Sequence, residues 1–250
     1  NRHNEWIPLK GDGDFRSQEC IELLKQSDIV VTNPPFSLFR EYLAQLMEYK
    51  KRFLIIGNIN AITYKEVFPL IKENMVWLGP SITSGDREFE VPKTILDPAK
   101  FTGEVRDGKY YQKVVGVRWY TNLDHGRRHQ KLSLMTMEDN KKFNKKVATS
   151  DIFYKVYDNY DAIEVPFVDG IPKVYDGIMG VPISFLDKYS PEQFEIAGMA
   201  AGNSRATGFN FDVQYRPHPN DRGGCGVIEG ERVYARILIK HRREKNGTKY

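Results

Sequence analysis

Asn33-Pro34-Pro35-Phe36 follows directly on the run Ile29-Val30-Val31-Thr32, and these four residues have the types and order to do chemistry. Each proline holds φ near −65° and lacks an N–H. A residue that precedes proline is pushed to extended geometry. The carbonyls of Asn33 and Pro34 therefore point in set directions. An exocyclic amino group on a planar ring is a poor nucleophile, because its lone pair is delocalised into the ring. Two fixed acceptors, the Asn33 side-chain oxygen and the Pro34 carbonyl, can hold both hydrogens and favour the pyramidal form whose lone pair is free to attack. Phe36 adds a flat face for an extruded base, a contact of about 1–3 kcal/mol in nucleic-acid sites. No base is needed before attack, since the proton leaves after the amine has become cationic. The plainer alternative is that Pro-Pro ends a strand and Phe36 packs in the core. From ordinary residue frequencies, such a string arises by chance in roughly one chain of this length in a few hundred, and its place after an apolar run makes chance a poorer account still.

A turn of this kind has to be carried by a strand before it and a helix after it. Upstream, Gly11 to Phe15 is turn chemistry, and Gln18 to Gln26 reads as a short helix with Cys20, Ile21, Leu23 and Leu24 on one side. Downstream, a helix with Ser37 as N-cap runs through Tyr49, with Leu38, Phe39, Tyr42, Leu43, Leu46 and Met47 at helical spacing. Arg52 to Gly57 reads as a buried strand, Lys65 to Asn74 as a helix containing Pro69, and Met75 to Leu78 as another strand. The alternation predicts a parallel α/β sheet with its site at the carboxyl ends of the strands. Beyond residue 80 the pattern changes. Val91 to Lys113 mixes Pro, Gly and charge, Val114 to Tyr120 and Arg232 to Lys240 read as strands, and short aromatic and β-branched runs fill residues 150 to 250. The division expected is residues 1–125 and 126–250, the second a mixed α+β lobe.

Composition narrows the class. A chain of 250 residues, 40% hydrophobic, can bury a substantial core. Its longest apolar run, Phe53 to Ile56, is too short to span a bilayer, and the first thirty residues carry no signal-peptide pattern. Cys20 and Cys225 stand apart, so neither a disulfide framework nor a zinc site is expected, and the reading is of a reducing cytoplasm. The five histidines are scattered and no Ser/His/Asp or Cys/His arrangement stands out. A net charge of +4 permits a polyanionic partner without demanding one.

Five stretches carry a resemblance: Asp28 to Tyr42, Phe53 to Tyr64, Val117 to Leu123, Tyr175 to Phe194 and Tyr234 to Lys240. On these the chain resembles the EcoRI-type adenine-specific (N6) DNA methyltransferases. The resemblance implies a methyl transfer from S-adenosyl-L-methionine to a flipped-out adenine of double-stranded DNA, within a bacterial restriction–modification system. A cognate restriction endonuclease that forms no stable complex is implied with it, and no membrane. The fold expected is α/β, a partial Rossmann-like methyltransferase sheet lacking its N-terminal cofactor motif, with the second lobe for target recognition. In such a family an acidic residue followed by an apolar one at this point receives the cofactor's adenine, which places that role on Asp14 and Phe15. Phe39 either borders the cofactor or packs in the core. The glycine-rich turn and the ribose-binding acid that should precede Asp14 are not found in residues 1–13, and the chain begins at Asn1 rather than methionine. The expectation is therefore the C-terminal portion of a catalytic core, with weak or no cofactor binding. Gly223, Gly224 and Gly226 open no helix after a strand and are poor substitutes.

An adenine inside a duplex must be rotated out of the stack, so a second surface is needed. Arg127, Arg128, Lys131 and the Lys141 to Lys146 cluster are candidates for phosphate, or form a solvated charged face. Arg suits guanine and Asn or Gln suits adenine in the major groove, which singles out Asn203, Arg205, Arg216, His218, Asn220 and Arg222. The similarity raises GAATTC as a candidate target. Two other readings stay open: an amino-group methyltransferase acting on RNA or a protein glutamine, and a non-catalytic DNA-binding remnant. Asn58 and Asn60 follow a strand at the active edge, as pocket lining or as turn formers.

Overall fold

β1 (Ile29–Thr32) and β2 (Arg52–Asn58) lie parallel, with Ile29 opposite Arg52 and Thr32 opposite Ile55. Parallel neighbours need a crossover, and α2 (Phe39–Glu48) supplies it. The structure is a computed structural model that describes residues 8–81, 87–96, 101, 103–209 and 212–242. The chain divides into two compact units, Asn1–Ile59 with Asp86–Leu123, and Asn60–Gly85 with Asp124–Tyr250. Residues 60–85, which the sequence groups with the first part of the chain, thus cluster with the second.

In the first unit, β2 alternates buried and half-buried residues, as a strand with one face on a core requires. Phe53 and Ile55 of β2, Phe39, Leu43 and Leu46 of α2, and Tyr120 are all buried, and the Phe39 ring stands edge-on to Tyr120. The sheet is not wholly parallel as expected, since Val117–Thr121 pairs antiparallel to β2 with Tyr120 opposite Ile55. The reason is local. Gly116 adopts φ 69°, open to glycine, and its carbonyl accepts from Ile59 N at 2.6 Å, so the strand starts at the carboxyl end of β2 and runs back along it. The region from Val91 to Lys113, read from sequence as irregular, contributes to a separate antiparallel sheet of Arg87–Val91, Lys109–Val114 and Glu104–Arg106. Its hairpin turns on Asp107 and Gly108 at φ 50° and 76°, the pair of left-handed residues that a two-residue turn demands.

α1 (Gln18–Gln26) forms where periodicity placed it. Ser17 Oγ caps it by accepting from Cys20 N at 3.2 Å, with Glu19 in the first turn and Lys25 in the last. The helix after the proline pair begins later than Ser37. Phe36–Leu38 is a 3₁₀ turn closed by Leu38 N to Pro35 O, and α2 follows from Phe39 without a side-chain cap.

The second unit is built on a four-stranded sheet in the order Phe194–Ala200, Arg236–His241, Ile178–Pro182, Ala162–Glu164. The first three are antiparallel neighbours and the last pair is parallel. Met179, Val181, Phe194, Ile196, Ile237 and Ile239 bury its apolar side chains. Within the sheet the buried Arg236 guanidinium pairs with the fully buried Glu164 through Nε at 2.9 Å and Nη2 at 2.7 Å, and Tyr157 donates its hydroxyl to the same carboxylate. The helix expected over Lys65 to Asn74 is only Phe68–Lys72, because Pro69 is tolerated in a first turn and nowhere further in. The expected strand from Arg232 starts at Arg236. Glu231–Arg232 instead pairs with Val227–Ile228 across a turn in which Glu229 and Gly230 hold φ 51° and 78°. No helix among the described residues is long and apolar enough to cross a membrane.

Candidate functional site

Asn33 leaves β1 at its carboxyl end, beside the carboxyl end of its parallel neighbour β2, where backbone carbonyls and side chains are free of the ladder. Pro34 is buried and anchors the turn, while Asn33, Pro35 and Phe36 are exposed. Pro35 holds φ −56° and its carbonyl accepts from Leu38 N at 2.9 Å, and Phe36 O accepts from Phe39 N. The turn is thereby tied at its far end. The Asn33 side chain and the Pro34 carbonyl have no protein partner among the described residues. Phe36 is 40% exposed, so neither the amide nor the ring is sealed in packed protein.

A cavity of about 510 Å³ lies against this turn, walled by β1, by Asn33, Pro34 and Pro35, and by Phe15, Leu23, Leu24, Tyr42 and Gln45. α1 buries no residue, and β1 leaves Ile29 42% and Val31 64% exposed, which gives the cavity its apolar character. The Phe15 ring stands edge-on to Tyr42 with centroids 4.9 Å apart. Gln45 Nε2 donates to the Phe15 carbonyl at 3.0 Å, while its Oε1 is buried without a partner among the described residues. Tyr42 and Gln45, three apart on α2, thus clamp the Phe15 loop. The sequence places Tyr42 only among residues at helical spacing, and the i, i+3 spacing of an aromatic and an amide was the available signal.

Asp14 does not line the cavity. Its carboxylate accepts from Arg16 N and Nε, each at 2.9 Å, and from Nη2 at 2.6 Å. The Arg16 hydrogen bonds hold its pKa at about 2. Of the two roles read for Phe39, the structure shows core packing and not a place beside the cavity: at 1% exposure its ring lies beneath Gly57 and edge-on to Tyr120 at 4.9 Å. The Asn58 carbonyl accepts from Tyr120 Oη at 2.8 Å, and the Asn60 carbonyl from Thr63 Oγ1, a turn-forming use.

Arg128, expected on a charged surface, is buried. It is 7% exposed, its guanidinium lies 3.5 Å from the Trp77 ring centroid, and it bonds Asp124 at 3.2 Å and the Asn74 side chain. Burial lowers its pKa, and the group serves the fold rather than a phosphate. Arg127 donates to the Pro80 carbonyl at 2.6 Å. Lys131, Lys141 and Lys142 are exposed, and Lys146 pairs with Asp169 at 3.0 Å.

Asn203 donates to the Thr63 carbonyl at 3.2 Å, and Asn220 to Gly230 O at 2.8 Å, while the His218 ring accepts from Asn220 N. Arg205 engages Tyr215 and Asp221. Arg216 and Arg222 are exposed, and their side chains have no partner among the described residues. The Asp221 carboxylate is wholly buried, and burial pushes its pKa up. The hydrogen bonds from His218 N, Tyr215, Gly223 N and Arg205 outweigh this and hold it far below the usual range.

The fold is mixed α/β, with an exposed amide- and aromatic-bearing proline turn at the rim of a sheet, and comparison with known proteins gives the family. The profile of the family described as adenine-specific methyltransferase EcoRI matches residues 2–242. The chain is 45% identical over 236 residues to the type II methyltransferase M.EcoRI of Escherichia coli, covering 93% of this chain and 63% of that protein. It is 38% identical over 240 residues to the type II methyltransferase M.MpnI of Mycoplasma pneumoniae, covering 94% and 71%. It is 37% identical over 234 residues to the type II methyltransferase M.MgeORF184P of Mycoplasma genitalium, covering 93% and 70%. The chain belongs to the EcoRI adenine-specific methyltransferase family. It thus spans less than two thirds of the E. coli enzyme. No solved structure matches it.

Proposed function

We propose that this chain carries the catalytic turn and the target-recognition region of a DNA adenine-N6 methyltransferase of a bacterial restriction–modification system, working in the cytoplasm beside a cognate endonuclease. The first unit would be the catalytic part, its β1–β2 pair belonging to a Rossmann-like sheet, and the second unit the recognition part. The observation that carries the reading is the exposed Asn33 amide, unpartnered among the described residues, beside the equally unpartnered Pro34 carbonyl at the rim of the cavity.

In this reading Asn33 Oδ1 and Pro34 O accept the two hydrogens of an everted adenine's amino group, and Phe36 stacks on the base. Neither acceptor needs to reorganise, since the prolines hold the turn before the base arrives. The amine attacks as its lone pair is released, and the surplus proton passes to water once the nitrogen has become cationic. When bound, S-adenosyl-L-methionine would supply the methyl group, the electron pair of the broken C–S bond staying on sulfur so that the neutral thioether S-adenosylhomocysteine is released. The residues present fit its adenine: apolar walls from Phe15, Leu23 and Leu24, and the orphan Gln45 Oε1 as an acceptor for an amino hydrogen. Asp14 can take that hydrogen only by sharing the carboxylate that Arg16 now occupies.

The test is acceptor labelling of the full-length protein with tritiated S-adenosylmethionine, offering duplex DNA, RNA and glutamine-bearing protein side by side. Label recovered from DNA as N6-methyladenine is the expected result. Label in RNA or in glutamine would move the activity to another acceptor.

A further inference from the structure

Arg205 is the exposed arginine of the recognition region that the fold holds in place. Its Nε donates to Tyr215 Oη at 3.1 Å and its Nη2 to Asp221 Oδ1 at 2.5 Å, while half of the side chain, 49%, stays open to solvent. Tyr215 Oη in turn donates to Asp221 Oδ2 at 2.5 Å, and the same carboxylate accepts from His218 N at 3.0 Å and Gly223 N at 2.8 Å. The main chain is locked as well: Arg205 N donates to Gly223 O at 2.8 Å, and a β-carbon on Gly224 would come within 3.0 Å of that nitrogen. Of the five N–H donors of a guanidinium, this arrangement uses the Nε–Nη2 edge. The Nη1–Nη2 edge remains, a planar fork matched to two adjacent acceptors.

We propose that Arg205 is a specificity-determining residue that reads the O6 and N7 of a guanine through this remaining edge, with Asp221 and Tyr215 as its positioning residues, and that Arg216 and Arg222 contact phosphate. The inference rests on the DNA-methyltransferase reading above. A side chain already immobilised loses little freedom on meeting a base, which favours direct readout. Arg216 and Arg222, exposed and unrestrained among the described residues, suit a contact that must follow the backbone of any sequence.

The experiment selects duplexes from a randomised pool with the wild-type protein. It then measures binding to the enriched sequence and to each single base-pair replacement, across a salt series and alongside thermal unfolding. Arg205→Lys keeps the charge and loses the fork. It is expected to lower the preference for one guanine by about 10- to 100-fold, leaving the salt slope unchanged. Tyr215→Phe should weaken the same preference several-fold and no other. Arg216→Ala or Arg222→Ala should weaken all duplexes alike and reduce the slope by about one. An Arg205→Lys protein that unfolds like the wild type and keeps every base preference overturns the assignment. So does an Arg205→Ala protein whose only change is a slope lower by one, since that marks a phosphate contact. If the wild type enriches no sequence, the recognition reading itself falls, and Arg205 with it.

Discussion

The Phe39 ring lies directly under Gly57: a β-carbon built on Gly57 would stand 2.5 Å from Phe39 Cε2 and 2.9 Å from both Phe39 Cζ and a Tyr120 ring carbon. This contact seats α2 on β2, and α2 is the helix that follows the proline turn. Both rings are fully packed, so neither can step aside cheaply. Gly57→Ala should destabilise the protein by about 1–3 kcal/mol through overpacking, read from chemical denaturation. An unchanged midpoint would show that the core gives way at this point.

In the full-length enzyme Asn33→Ala is expected to lower turnover by at least about 100-fold, the loss that follows removal of one oriented hydrogen-bonding group. The side chain is exposed and unpartnered among the described residues, so the unfolding temperature should stay put. Near-normal turnover would remove Asn33 from the mechanism.

The Glu164–Arg236 pair sits inside the second unit's sheet with both side chains withdrawn from water. Glu164→Gln, which leaves the guanidinium facing a neutral amide, should cost about 3–5 kcal/mol, whereas replacing both residues with apolar ones of similar volume should be far milder. Urea unfolding of the single and double variants decides this, and equal losses would contradict the pairing.

His129 stands between two carboxylates, with Nδ1 2.7 Å from Glu192 and Nε2 2.9 Å from Asp124. The Glu192 bond first, and then the Asp124 bond and charge, raise the imidazole pKa above 6.5. A raised folded-state value means that the stabilisation is fully present below pH 6.5 and is lost as pH rises through the folded value. Asp124 is lowered by the same contact, so its contribution fades instead as pH falls into the acid range. The histidine titration followed by NMR should show the upward shift, and His129→Gln should abolish the alkaline loss. A His129 midpoint at or below 6.5 would contradict the bridge.

Local stereochemistry is legible in a sequence, and so the proline turn and its flanking elements were. Two consecutive prolines restrict their own backbone and their neighbour's whatever surrounds them, and the apolar spacing of Cys20, Ile21, Leu23 and Leu24 specifies α1. What the tertiary structure decided depends on partners distant in the chain. Arg128 reads as a basic surface residue until Trp77 and Asn74 are placed around it, and the helical spacing of Phe39 favours the core without naming the Gly57 and Tyr120 that it packs against. The antiparallel return of Val117–Thr121 and the sheet that includes Lys109–Val114 arise from pairings between strands, which residue spacing does not encode. Arg205 differs from Arg216 and Arg222 only because Asp221, sixteen residues away, meets it in the fold. An arginine's type announces a charge, but only the groups packed around it determine whether that charge is buried, unrestrained or aimed.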